Sequence, residues 1–224
     1  MSEKNLAVVL LSGGLDSCVT MAIAREKHNI ALLHIGYGQR TQTREYNSFR
    51  SIARFYNIPE TRILALELDF LRKIGGSSLT DHNIPVDKED TDADIPTSYV
   101  PFRNTHLLSI AVSWAETINA DSIYIGAVQQ DSSDYPDCRA EYYEAYNKLV
   151  EAGTKPSTNI KVITPLLDMS RSEIVKKGIE LAAPLQLSWS CYERNDKACG
   201  CCLSCRLRLK AFEEAGVKDK IHYL

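Results

Sequence analysis

An apolar run, Leu6-Ala-Val-Val-Leu-Leu11, stops abruptly at Ser12-Gly13-Gly14-Leu15-Asp16-Ser17. Two hydroxyls, two glycines and an acid directly after a strand-like segment read as an anion-binding turn. Paired glycines let the backbone fold tightly and approach a ligand closely, so that amide N–H groups and the start of the next helix point at a phosphate. Ser12 and Ser17 add hydroxyl donors. Leu15, Val19, Ala22 and Ile23 recur at helical spacing, so a helix follows the turn. The chain must therefore accommodate a strand, a phosphate loop and a helix in that order. The loop lacks the lysine followed by Ser or Thr that a GxxxxGK(S/T) phosphate loop requires.

Strand and helix patterns alternate beyond this unit. Strands are expected at residues 30–37, 63–66, 122–127 and 161–163, with helices at 43–56, 107–118 and 142–150. Such alternation predicts an α/β fold: a Rossmann-like parallel sheet of about five strands, with helices on both faces and ligands outside the carboxyl ends of the strands. The pattern fails between residues 75 and 101, where Gly75, Gly76, Pro85, Pro96 and Pro101 accompany Asp81, Asp87, Glu89, Asp90, Asp92 and Asp94 against a single Lys88. That stretch is expected to be a solvated loop, with an ordered lid as the alternative. Residues 1–187 form the main domain in this reading, and 188–224 a C-terminal cysteine-rich segment and helix.

The 224 residues carry a formal net charge of −3, which speaks against a general nucleic-acid surface and favours a small substrate. The start, Met1-Ser-Glu-Lys-Asn, has no signal-peptide pattern, and no run approaches membrane-spanning length. A cytoplasmic protein is expected, in which cysteines read as thiols or metal ligands rather than disulfides.

Five of the seven cysteines fall between Cys191 and Cys205. Overlapping C-x2-C steps, Cys199 to Cys202 and Cys202 to Cys205, gather thiolates on a tight knuckle that Cys191 can close, which suits one structural zinc held by Cys191, Cys199, Cys202 and Cys205. An iron–sulfur cluster uses the same ligand type. Cys201 adjoins Cys202 and should point away. Arg206, Arg208 and Lys210 follow on a helix and read as a solvated face. Cys18 reads as a packing residue. Cys138 could act as a thioester nucleophile on the ligand-binding side, although no histidine lies nearby in sequence.

The Ser12-Gly13-Gly14-Leu15-Asp16-Ser17 turn resembles the SGGxDS signature of the PP-loop ATP pyrophosphatases, an adenine nucleotide α-hydrolase-like fold family that splits ATP between its α- and β-phosphates. Further matches are dispersed along the chain: Tyr37-Gly-Gln-Arg40, Val100-Pro-Phe-Arg103-Asn104, Asp134-Tyr-Pro-Asp137-Cys-Arg139, Thr164-Pro165-Leu166, and Ser190-Cys-Tyr with Cys199-Gly-x-Cys202-x-x-Cys205-x-x-Arg208. Together they are similar to the 7-cyano-7-deazaguanine synthases within that family. The resemblance implies conversion of 7-carboxy-7-deazaguanine and ammonia to the nitrile in queuosine biosynthesis, a carbon–nitrogen ligase reaction that uses ATP twice with Mg2+ and releases AMP and pyrophosphate.

On that footing ATP is expected to contact Leu11, Ser12, Gly13, Gly14, Leu15, Asp16, Ser17 and Cys18. Ser12, Asp16, Ser17 and Arg139 are the candidate catalytic residues. Asp131, Asp134 or Asp137 could read the guanine-like edge, and Arg103 or Arg139 could fork onto the substrate carboxylate. Expected partners are ATP, the deazaguanine acid and ammonia, with no nucleic acid, no membrane and a homodimer by resemblance only. Two rival readings are a PP-loop tRNA thiolase using the cysteine cluster, and a zinc-ribbon binding module whose loop senses nucleotide without turnover.

Overall fold

The computed structural model describes residues 4–88, 95–129 and 135–224. Five parallel strands form its sheet: β1 (Leu6–Leu10), β2 (Asn29–Gly36), β3 (Ile63–Glu67), β4 (Ser122–Tyr124) and β5 (Lys161–Ile163), in the order β3-β2-β1-β4-β5. The chain runs outward from β1 to one edge and then crosses to β4 on the other side. A crevice for a ligand opens where the order reverses, beyond the carboxyl ends of β1 and β4. The expected parallel α/β sheet is thus the one observed.

Alternation along β1 sorts the core into two layers, because successive strand side chains face opposite ways. Ala7 and Val9 pack on one side with α1 (Leu15–Lys27), α2 (Gln42–Phe55), α6 (Arg171–Glu180) and α7 (Leu203–Glu214). Val8 and Leu10 pack on the other with α4 (Arg103–Thr117) and α5 (Ala140–Gly153). A short α3 (Asp69–Ile74) lies after β3. Ala211 and Phe212 of α7 belong to the first layer, so the C-terminal segment contributes to the main core.

Three features differ from expectation. The fourth strand ends at Tyr124 rather than at 127. Gly126 explains the departure: its backbone runs against the start of α1, where a Cβ would stand 3.0 Å from the Asp16 carbonyl carbon and the Ser17 nitrogen. Helix α6 opens with a capping box, in which Ser170 accepts from the Glu173 N–H and Glu173 accepts from the Ser170 N–H, a signature the hydrophobic pattern did not reveal.

The expected solvated loop at 75–101 is, in its described parts, packed and bonded. Ser77, Ser78, Leu79, Thr80, Ser98 and Val100 are buried. The Arg40 guanidinium donates to the carbonyls of Ser78 (2.6 Å), Asp81 (3.1 Å) and Ile84 (2.7 Å), and the Ser78 N–H donates to Thr97. Arg40 can anchor this segment because a guanidinium offers five donors to otherwise unmatched carbonyls. Glu89, Asp90, Asp92 and Asp94 lie outside the described residues. Among the described residues no helix is long and apolar enough to cross a membrane.

Candidate functional site

The turn after β1 is shaped by Gly13, whose φ of +95° is open to glycine and unfavourable for an L side chain. Gly13 is pressed against α2, and its carbonyl accepts the Trp189 N–H at 2.8 Å. Gly14 caps α1 in an extended conformation. Ser12 Oγ accepts the Gly14 N–H (3.1 Å) and lies 3.0 Å from Ser17 Oγ, which donates to the Gly14 carbonyl (3.0 Å). Two hydroxyls and the amino end of a 13-residue helix therefore converge on one point, where an anion gains both hydrogen bonds and the helix dipole.

That point opens into a cleft of about 310 Å³ lined by Ser12, Gly14, Asp16 and Ser17 on one side and by Tyr37, Arg103, Tyr135, Arg171 and Tyr192 around the rest. Asp16 reaches the cleft with protein around its remaining sides. Burial raises its pKa, while Arg171 and Arg208 pull it back down. Leu11 and Leu15 line the cleft wall. Cys18, expected as a packing residue and also as an ATP contact, faces the core with no exposed surface and a thiol pushed up to about 12 by burial, and is not among the cleft-lining residues.

Across the cleft, Arg103 opens α4 directly after Phe102, a residue with φ of +58°. Its Nη1 donates to the Tyr37 hydroxyl at 3.2 Å, and its guanidinium stands 5.6 Å from that ring centroid. Burial alone would lower the Arg103 pKa, but Tyr37, Asp137 and Cys138 nearby more than reverse this, so the side chain is a fixed cation. Its Nε is buried with no partner among the described residues.

Asp137, expected as a reader of the base, is 3 % exposed and engaged elsewhere: its Oδ2 accepts the Asn104 N–H (3.0 Å) and so caps the first turn of α4 from a distance. The Asn104 side chain returns a bond to the Asp137 carbonyl (2.9 Å). Arg139 heads α5, half-exposed, with Glu141 3.9 Å away, and is not among the cleft-lining residues. Asp131 and Asp134 lie outside the described residues. Cys138 borders the cleft, but burial pushes its thiol up to about 11, so it is a neutral thiol rather than a ready nucleophile.

Sequence reasoning did not single out several cleft residues. Glu45 accepts from Gln39 Nε2 (2.9 Å) and Thr41 Oγ1 (2.8 Å), and burial raises its pKa against those bonds. Gln39 in turn accepts the Tyr37 N–H (2.9 Å), so the Tyr37-Gly-Gln-Arg motif builds one wall. Arg171, at the start of α6, came with the unread capping box. Trp189, and Tyr192 of the Ser190-Cys-Tyr match, flank the cysteine cluster and also line the cleft.

Cys191, Cys199, Cys202 and Cys205 bring their sulfurs within 4.8 Å of one another. Thiolates about 2.3 Å from a common tetrahedral centre lie about 3.8 Å apart. The 3.9 Å separation of the Cys199 and Cys205 sulfurs fits that edge. The donor set therefore suits a metal, and the Cys202 N–H, 3.3 Å from Cys199 Sγ, supplies the kind of amide bond that steadies a thiolate. Cys201 is exposed and outside the four.

Arg208 overturns the expected solvated face. Arg206 and Lys210 are exposed, but Arg208 is 2 % exposed and ion-paired with Asp219 at 2.6 Å. Its guanidinium also donates to Ser188 Oγ (2.9 Å), Ser190 Oγ (3.1 Å) and the Leu185 carbonyl (3.1 Å). The physical reason is helical spacing: residues 206 and 210 are one turn apart, whereas 208 points to the opposite side.

The family described as queuosine biosynthesis protein QueC matches residues 6–216. A 7-cyano-7-deazaguanine synthase of Chlorobium chlorochromatii is 56% identical over 97% of this chain and 95% of its own length. The enzyme of that name in Chlorobium phaeovibrioides is 58% identical over 97% of this chain and 96% of its own. Among solved structures, the U34-tRNA thiolase NcsA from Methanococcus maripaludis with its 4Fe–4S cluster is 16% identical, with a TM-score of 0.48 over 94% of this chain. This chain spans 65% of that one, and the likeness is too slight to carry an argument.

Proposed function

The chain belongs to the queuosine biosynthesis QueC family, and from that membership we propose that it is an ATP-dependent carbon–nitrogen ligase that turns 7-carboxy-7-deazaguanine and ammonia into 7-cyano-7-deazaguanine. The observation that supports this most directly is the pairing, across one cleft, of a helix-borne phosphate loop with the half-buried Arg103 cation. A carboxylate held at Arg103 would face a triphosphate held at Ser12–Ser17, which is the arrangement that adenylation needs.

Converting a carboxylate to a nitrile breaks both of its carbon–oxygen bonds. In the proposed sequence a carboxylate oxygen attacks the α-phosphorus and pyrophosphate leaves. Ammonia then displaces AMP to give the amide and a proton. The amide oxygen attacks a second ATP, pyrophosphate leaves again, and loss of AMP with the remaining N–H protons forms the nitrile. Each carboxylate oxygen thus departs on an AMP. The Ser12 and Ser17 hydroxyls, which bond to each other and to the Gly14 backbone, would turn to the leaving pyrophosphate and, with the N–H groups at the start of α1, receive the charge that develops on it. Asp16 would orient the turn or help to hold the Mg2+ that accompanies ATP. Arg139 and Asp137, as placed here, would act on substrate only after rearrangement. The reading therefore moves the carboxylate fork to Arg103.

We assign a single structural zinc to the four cysteines. A colourless, metal-replete protein would support it, and iron-based absorption would replace it with a cluster. The thiolase alternative has no comparable support. The proposed partners are small molecules, with a homodimer carried only by the resemblance. The deciding experiment is mass spectrometry of a reaction containing the protein, ATP, Mg2+, ammonium and 7-carboxy-7-deazaguanine. The expected result is the nitrile with two AMP per nitrile. Absence of AMP from metal-replete protein would reject the ligase reading.

A further inference from the structure

Trp189 lies between the two sites and touches both. Its backbone N–H donates to the Gly13 carbonyl at 2.8 Å, while its indole, 2 % exposed, shares a buried cluster with Cys191, Cys202 and Cys205. The Arg44 guanidinium stands 4.4 Å above the indole, and Arg44 belongs to α2, the helix against which Gly13 is pressed. Two residues beyond Trp189 the chain reaches Cys191, a member of the thiol set.

A second connection runs through Arg208. Cys202 caps α7 and Cys205 sits in its first turn, so closing the four thiolates on a metal sets where α7 begins. Arg208 follows Cys205 by three residues. All of its donor nitrogens are engaged: Nε and Nη2 with Asp219, Nη2 also with Leu185, and Nη1 with Ser188 and Ser190. Asp219 is itself fixed by the Tyr223 hydroxyl at 2.7 Å and the Ile221 N–H at 3.3 Å. The guanidinium thus clamps both sides of Trp189, since Ser188 and Ser190 are its neighbours in the chain. Ser188 is fully buried, so the clamp exchanges none of these bonds with water at that point.

We infer that Arg208 is a positioning residue and that, with Trp189, it couples the four-cysteine metal site to the phosphate loop: a closed thiolate set holds the Gly13 carbonyl in the geometry that accepts a triphosphate, and a bound triphosphate in turn holds the metal more tightly. The second half follows from the first, because coupling between two binding equilibria is reciprocal. The inference rests on nucleotide binding at Ser12–Ser17 and adds a partner for it.

The test uses the metal-loaded full chain. Metal is titrated to equilibrium against a colorimetric chelator that binds Mg2+ weakly, and its apparent affinity is compared with and without α,β-methylene-ATP and Mg2+, whose binding is measured separately by calorimetry. Saturating nucleotide should tighten the apparent metal affinity by about fivefold or more. The Asp219→Asn chain keeps every cysteine and the loop but unseats Arg208. It should load metal fully and lose most of this gain. Tyr223→Phe removes one hydrogen bond to Asp219 and should lose part of it, which provides a readout if Asp219→Asn folds poorly. In a Trp114→Phe background, the emission of Trp189 should shift on nucleotide addition. Nucleotide that binds without changing the apparent metal affinity would overturn the coupling. The full gain in Asp219→Asn would overturn the part assigned to Arg208. Absence of any nucleotide binding would instead reject the ATP reading, and the coupling with it.

Discussion

Replacing Gly13 by alanine should cost far more than the same change one residue later. Gly13 has φ of +95°, and a Cβ there would overlap the Glu45 carbonyl oxygen and stand 3.0 Å from the Phe49 nitrogen and 3.1 Å from Ser48 Cβ. Left-handed backbone costs an L-residue about 1–2 kcal/mol. The overlap is with the backbone of α2, which cannot rotate aside as a flexible side chain would, and forced overpacking adds about 1–3 kcal/mol. A total of about 3 kcal/mol lowers the Tm of a chain this size by about 6–12 °C. Gly14 differs in both respects. Its φ of −76° suits any residue, and a Cβ would meet only Ser12 Oγ at 3.2 Å and the Trp189 carbonyl at 3.6 Å. Gly14→Ala should therefore melt within about 2 °C of the parent, since the unfolded-state gain of about 0.4–1 kcal/mol offsets a small shift of Ser12. Its added methyl should nonetheless weaken ATP binding, because it stands beside the Ser12 hydroxyl on the face offered to phosphate. The assay is thermal unfolding by circular dichroism together with calorimetric ATP titration. Equal losses of Tm for the two variants would refute the backbone argument.

Two further outcomes follow from the same geometry. Asp137→Ala should destabilise the chain by about 1–2 kcal/mol in urea unfolding by uncapping α4, whereas Asp137→Asn, which keeps an acceptor oxygen for the Asn104 N–H, should cost less; equal costs would show that the cap is not what Asp137 supplies. In metal-loaded protein at pH 8, iodoacetamide should label Cys201 alone at first, because Cys18 and Cys138 have thiols raised to about 12 and about 11 by burial and the other four are held together. At that pH only about one Cys138 in a thousand is thiolate. Its labelling should accelerate as pH rises toward its pKa, and chelation should release four more reactive thiols in mass spectra. Rapid labelling of Cys138 at pH 8 would contradict its burial.

The parts of this molecule legible in its sequence are those whose conformation is set by their own neighbours. The turn at Gly13 and Gly14 could be read because a strand, two glycines and a helix fix the local backbone whatever surrounds them, and the cysteine knuckle because its spacing alone brings thiols together. Helix α6 was equally local, with Ser170 and Glu173 at capping-box spacing, and went unread because its apolar stripe is short. Arg208 is the opposite case. Its position on the far side of α7 from Arg206 and Lys210 was available from helical geometry, but what makes burial tolerable is Asp219, eleven residues away across a bend, together with Ser188 and Ser190 from an earlier segment. Asp137 likewise reads as a candidate for the base edge until Asn104 is folded against it. A buried charge carries no periodic signature, because its stability depends on partners that the fold alone brings within reach. Such residues concentrate where separate segments meet, and here those meeting points are the walls of the cleft: α4 meets the Pro136–Cys138 turn at Arg103, and α7 meets the 185–190 segment beneath the phosphate loop. The sequence motifs name the groups that would handle ATP, and the long-range buried pairs determine how firmly those groups are aimed.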